Sequence, residues 1–209
     1  MVRKGRFIKI LLSIVIFLII LTMGVHHNIR VYSIFYAFHV PHKKNTNPIL
    51  CAVSDNLSKI YIPNLDEKTR RDDFFDNDYE VEDMSHNITY YFYNPTISCT
   101  LSKSNYLELC PASSFYGPFP RSAKYAITYT HSENEGVSIC FDSEGRLLQV
   151  AEMDKNNAFT LKLQMTPNIL KQTKNYEEIL YGNIVQERKR PIVNLQWLYN
   201  WLNYKRFNS

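Results

Sequence analysis

The chain has no Gly-x-Ser-x-Gly elbow, no Walker phosphate loop, no His-Glu-x-x-His and no Rossmann glycine run. Their absence removes the commonest signatures of serine hydrolases, nucleotide enzymes and zinc peptidases. No two of the four cysteines are spaced as Cys-x-x-Cys, which argues against a structural zinc. Internal repeats are absent. Glycine is scarce, six residues against fifteen Tyr and twelve Phe, a balance that favours β structure, where rings pack on pleated surfaces. Surplus positive charge is also missing from the body of the chain. The formal net charge is +4, but Arg3, Lys4, Arg6 and Lys9 all precede the first apolar run; without them 20 basic residues face 20 acidic ones. A nucleic-acid binder carries its charge on the folded part, so no nucleic-acid partner is expected. At 45% hydrophobic and 14% aromatic the composition is that of a folded protein, not a disordered one.

What is present begins with residues 10–25, ILLSIVIFLIILTMGV, without a charge. A bilayer-spanning helix needs about 20 mostly apolar residues, and Phe7 and Ile8 lengthen the run if Lys9 snorkels to the interface. Basic residues ahead of the run favour an N-terminus kept in the cytoplasm. Thr22-Met23-Gly24 matches the small-residue pattern of a cleaved signal poorly, so residues 1–25 are expected to be an uncleaved signal-anchor. The expected location is the cell (inner) membrane, single-pass, with the C-terminal domain periplasmic or extracellular. The membrane partner is engaged through residues 10–25. Residues 26–48 are expected to form a juxtamembrane linker. Its aromatic first part, IRVYSIFYAFHV, extends the helix into the outer interface, and Pro41 ends it. Residues 49–209 form the exported domain, long enough for one core.

An even number of cysteines in an exported domain suggests two disulfides. Cys99 and Cys110 flank a short segment that could close a hairpin-like loop, which leaves Cys51 to pair with Cys140. Sequons occur at Asn56 and Asn87; Asn94 is excluded by Pro95.

Along the domain, PILCAV and SKIYIP read as strands separated by SDNL. The stretch from Asp66 to His86 holds nine acids and reads as a loop. Asp76, Asp78 and Glu80 alternate like the start of an EF-hand, but Val81 and Asn87 occupy the positions of the required Gly and Glu, so no calcium is expected. The acidic stretch Asp72–Asp83 is instead a candidate partner-binding edge. NITYYFYNP, TISCTL, KYAITYT, GVSICF, RLLQVAEM and FTLKLQM carry strand signals, with a turn at Asp142 to Gly145. Thr166-Pro167 opens a helix as cap and first residue. A last helix follows Pro191, with Leu195, Leu198, Trp201 and Leu202 on one face and Trp197 and Tyr204 beside it. That face is expected to pack on the sheet; the alternative, since Arg188, Lys189, Arg190, Lys205 and Arg206 flank the helix, is that it lies on an anionic membrane. The fold class expected is α+β: an N-terminal transmembrane helix, an antiparallel sheet of five to seven strands, and two C-terminal helices.

Chemistry is sparse. His39 and His42 lie three apart near the membrane without a third ligand. His131 sits beside Glu133 and Glu135, where a His–carboxylate pair can do acid–base work, though a solvated turn is the simpler reading. No cofactor and no catalytic residue are expected. Candidate interaction residues are Phe115, Tyr116 and Phe119 on the proline-rich loop 111–120, and Trp197 and Trp201 on the last helix. The expected function is a membrane-anchored, non-enzymatic, protein-binding domain. The alternatives are a type II membrane glycoprotein of a virus or eukaryote and an exported hydrolase.

Overall fold

The computed structural model describes residues 2–57, 78–83, 88–93, 96–102, 105–114, 119–132, 135–156, 159–162 and 166–209. Helix α1, Val2–Val31, contains the apolar segment Ile8–Val31, of mean hydropathy 2.8, none of whose most apolar stretch is covered by the rest of the protein. It is long and apolar enough to cross a membrane. Its two hydroxyl residues turn inward: Ser13 Oγ donates to the Lys9 carbonyl and Thr22 Oγ1 to Leu18, so neither is left bare on an apolar surface.

Within the stretch 26–48, which reads as a linker, Ile34, Tyr36, Ala37 and Val40 lie in the hydrophobic core. Helix α2, Ser33–His39, follows α1 after a turn at Tyr32 and buries Ile34, Tyr36 and Ala37. PILCAV is a helix, not a strand. It lies in α3, Pro48–Asn56, where Asn47 Oδ1 accepts from Leu50 N at 3.0 Å and Pro48 takes a first-turn position. Cap and proline outrank the β-like run of Ile, Leu and Val. SKIYIP lies outside the described residues.

Among the described residues, eight antiparallel strands form one sheet in simple sequence order. They are β1 Asp78–Asp83, β2 Ile88–Tyr93, β3 Thr96–Ser102, β4 Asn105–Pro111, β5 Tyr125–Ser132, β6 Glu135–Phe141, β7 Leu147–Met153 and β8 Phe159–Lys162. The count exceeds the expected range because β1 comes from the acidic stretch read as a loop and β4 from the segment between Cys99 and Cys110. Helices α4, Pro167–Gln186, and α5, Gln196–Asn208, complete the α+β layout. Thr166 caps α4 as its sequence implies, its Oγ1 accepting from Ile169 N at 3.3 Å.

Alternation divides the sheet into two faces. One presents Ile97, Leu107, Leu109, Ile127, Ile139 and Val150 to Leu50 and Val53 of α3 and to Tyr176, Leu180 and Ile184 of α4. Burying each such aliphatic side chain contributes roughly 1.5–3 kcal/mol, which is what holds the helices to the sheet. The other face carries a group of small side chains, with Cys110, Ala126 and Cys140 in neighbouring register on β4, β5 and β6.

This division overturns the disulfide expectation. All four cysteines are free and buried. Cys99 pairs across β3–β4 with Leu107 on the helix-covered face, whereas Cys110 lies on the opposite face. Cys51 points from α3 into the main core, its thiol donating to the Ser143 carbonyl at 3.4 Å, while Cys140 is again on the far face. The sheet stands between the partners of each expected pair. Cys110 and Cys140 share a face but are separated by the strand that carries Ala126, about 10 Å at ordinary strand spacing, beyond disulfide reach.

The last helix also departs from expectation. α5 buries Tyr199 and Phe207, and leaves Trp201, Leu202, Trp197 and Tyr204 exposed. Tyr199 stacks on Tyr36 at 5.4 Å, so α5 packs by its other face against α2.

Candidate functional site

Asn47 stands where three elements meet. Its Oδ1 caps α3, its Nδ2 donates to Glu177 Oε1 of α4 at 2.7 Å, and its backbone N–H donates to the Glu144 carbonyl in the β6–β7 turn at 3.1 Å. The turn is built for this approach. Asp142, itself buried, accepts from the backbone N–H groups of Glu144 and Arg146 at 2.9 and 2.8 Å and from Arg146 Nε at 2.7 Å. Burial pushes the Asp142 carboxyl up, but those donors outweigh it and hold it below the usual range. Gly145 closes the turn at φ 70°, and a Cβ there would lie 2.6 Å from the Asn47 carbonyl oxygen.

A cleft of about 650 Å³ opens at this junction, lined among others by Lys44, Asn47, Arg146, Thr173, Lys174 and Glu177. A second depression of about 350 Å³ lies beyond Glu177, shared by Asn47, Lys174, Glu177 and Tyr181. Glu177 thus stands between two openings. Burial pushes its carboxyl up to about 7, against the opposing effects of Tyr181, Asn47 and Lys174. A carboxyl at that value can take up or release a proton near neutrality. Arg146 is already committed to Asp142 and to Glu144, the latter at 2.6 Å. Lys44 and Lys174 are the cleft's basic residues outside that pair, and they suit an acidic group on a ligand or partner.

A second polar cluster secures the C-terminus. Asp55 accepts from the Tyr125 hydroxyl at 2.6 Å, from Lys124 Nζ at 3.0 Å and from Arg206 Nη1 at 3.0 Å. Arg206 also reaches the Tyr125 hydroxyl at 2.9 Å and, through Nε, the Ser143 carbonyl at 2.7 Å. These bonds join α3, β5, α5 and the β6–β7 turn, so the cluster fixes architecture.

The residues singled out in the sequence are scattered. Phe115 and Tyr116 lie outside the described residues. Phe119 packs against the small-residue group of Cys110, Ala126 and Cys140 and so helps to cover that face. Trp197 and Trp201 are 69% and 71% exposed. His39 and His42 each donate through Nδ1 to a nearby carbonyl, Phe35 and Val40, and are not brought together as ligands. His131 Nε2 lies 3.4 Å from Glu135 Oε2, and the His131 side chain is about half exposed. The sequon residue Asn56 is engaged in the last turn of α3, its Oδ1 accepting from Arg30 Nε at 3.2 Å. Among the described residues, no group of three His, Cys, Asp or Glu side chains is placed to hold a metal ion.

Asn47, Glu177 and Asp55 were not singled out in the sequence, and Arg206 only as a basic flank of the last helix. A helical phase through Thr173, Tyr176, Leu180, Tyr181 and Ile184 would have placed Glu177 on the buried side of α4.

Compared with known proteins, the chain matches no family model, no curated protein and no solved structure.

Proposed function

We propose that this protein is a single-pass membrane-anchored domain that acts by binding another protein, with its N-terminus in the cytoplasm and its sheet domain across the bilayer. The observation that carries the reading is the joint between α1 and the domain. The Tyr36 hydroxyl donates to Asn28 Oδ1 at 2.6 Å, and Ile29, Tyr32 and Phe35 pack against the core. The bare apolar helix is therefore built into the domain and holds it close to the membrane. With the cysteines free, what favours export is Arg3, Lys4, Arg6 and Lys9 ahead of an uncharged run.

The binding face proposed is the cleft at Asn47 and Glu177. Lys44 and Lys174 on its walls select for an acidic segment, and the polar residues that line it come from a loop, a turn and a helix, as recognition surfaces usually do.

Two measurements on the full chain in native membranes test this. Alkaline extraction should leave the protein in the membrane pellet; release to the supernatant removes the anchor. A photo-crosslinking residue at Lys44 or Lys174 should give a discrete protein adduct that is absent with the same residue at Lys155, an exposed position on the β7–β8 turn. Identical patterns at all three positions, or no adduct at any, would reject the cleft as the binding face.

A further inference from the structure

Helix α5 turns its aromatic side outward. Trp197, Trp201 and Tyr204 recur at helical spacing and form one stripe, joined by Lys205; the three rings are 69%, 71% and 65% exposed. Immediately before the helix, Ile192 is 96% and Val193 60% exposed. Single exposed apolar residues are ordinary on a protein surface, but a contiguous strip of this kind marks an interaction site.

The position of the strip identifies what covers it. The Val193 carbonyl accepts from Asn28 Nδ2 at 3.3 Å and lies 3.2 Å from the Tyr36 hydroxyl. Leu195 N donates to that same hydroxyl at 3.1 Å, and Gln196 Nε2 donates to the Tyr36 carbonyl at 3.0 Å. The start of α5 is thereby locked to the end of α1. Asn28 follows Val25, where the uncharged run 10–25 ends, by about 4.5 Å along a helix. The headgroup layer is roughly 5–7 Å deep on each side of the hydrocarbon. Ile192 and Val193 therefore stand at headgroup depth, and Trp197 lies one residue inside the helix that begins there.

We propose that Ile192, Val193, Trp197 and Trp201 rest in the headgroup layer of the bilayer that α1 crosses, with the exposed Arg190 and Lys205 on lipid phosphates. Trp prefers this zone because its ring is apolar and its N–H polar. An apolar stripe flanked by basic residues is how a helix lies on a membrane rather than in it. The inference rests on the anchored reading above and adds to it: the domain is fixed by two contacts, so its cleft faces the surroundings at one height and angle.

Trp197 and Trp201 are the chain's two tryptophans, so their emission reports on this strip without labelling. The full chain would be reconstituted in phosphatidylcholine–phosphatidylglycerol vesicles containing lipid brominated either near the top or near the end of its acyl chains. Floating vesicles should carry the protein, and the shallow bromines should cut Trp emission by roughly half or more, the deep ones less. Trp197→Phe and Trp201→Phe, made one at a time, should each leave a single tryptophan that the shallow bromines quench more than the deep ones. Protein that fails to float with the vesicles overturns the anchor and this proposal with it. Protein that floats while its emission is unquenched overturns the seating and leaves the anchor standing. Blue-shifted but unquenched emission would mean that a second copy or another protein covers the strip, which also overturns it, as would deep quenching equal to shallow.

Discussion

Asn47 Nδ2 donates to Glu177 Oε1 at 2.7 Å, and the same asparagine caps α3 with its other side-chain atom. One side chain therefore sets the distance between α3 and α4 while holding a carboxyl whose protonation changes near neutrality. A charged Glu177 is held there against its burial.

The first prediction follows from that carboxyl. Its folded value is raised to about 7 from an ordinary 4.5. A raised carboxyl binds its proton more tightly in the folded state, so its favourable contribution is complete below the unfolded value and is lost as pH rises through about 7. The upper limit of that loss is on the order of 3 kcal/mol. Glu177→Gln keeps an acceptor for Asn47 and removes the charge. It should stabilise the protein by roughly 1–3 kcal/mol at pH 8 and by nothing measurable near pH 4.5. Denaturant unfolding of the full chain in detergent at the two pH values checks this; a gain of the same size at both would show that burial of the charge is not the cause.

Gly145→Ala tests the turn. The position has φ 70°, and its Cβ would approach the Asn47 carbonyl oxygen to 2.6 Å, a backbone atom that cannot swing aside. The left-handed conformation costs a non-glycine residue about 1–2 kcal/mol before any clash. The variant should lose roughly 2 kcal/mol or more, read as a lower unfolding midpoint. Gly24→Ala, where nothing lies within 4 Å of the new Cβ, should be neutral or slightly stabilising.

These elements were unequally legible in the sequence. α1 shows itself through an uncharged run, and β5 to β8 through alternation that needs no tertiary information. Thr166-Pro167 announced α4. Asn47-Pro48 carries the same cap-and-proline signal for α3, yet Ile49, Leu50 and Val53 look like a strand because a short apolar run has no distinctive period. The disulfide expectation failed for a different reason. Spacing along the chain does not say which face a cysteine occupies, and strand register decides that; Cys99 opposite Leu107 puts Cys110 on the other side. The cleft was illegible, since Lys44, Asn47, Arg146 and Glu177 come together only once the meander and α4 are in place.

The cysteines give a third prediction. Burial pushes the thiols of Cys51, Cys99, Cys110 and Cys140 up to about 12, and a protonated, buried thiol is a poor nucleophile. Native protein should resist alkylation. After unfolding without reductant, mass analysis should find an alkyl group on each of the four. No addition until reductant is present would mean that the thiols are paired.

The last prediction concerns the Asp55–Arg206 contact at 3.0 Å. Burial acts to raise the Asp55 carboxyl, but the Tyr125 hydroxyl, Arg206 and Lys124 outweigh it and hold it below the usual range. A depressed carboxyl contributes stability that is present above its unfolded value and lost as pH falls through the folded one. Asp55→Asn removes the charge and leaves Arg206 with the Tyr125 hydroxyl and the Ser143 carbonyl. Both partners are about a quarter exposed, so water takes over part of the lost interaction. The expected loss is roughly 1–2 kcal/mol at pH 7, shrinking toward acid pH as wild-type Asp55 is protonated. Because Arg206 lies in α5, the loss should be accompanied by faster amide exchange in α5 than in β5, a difference that hydrogen-exchange mass spectrometry resolves. Equal loosening of the two elements would mean that Asp55 secures the core as a whole and not the attachment of the last helix.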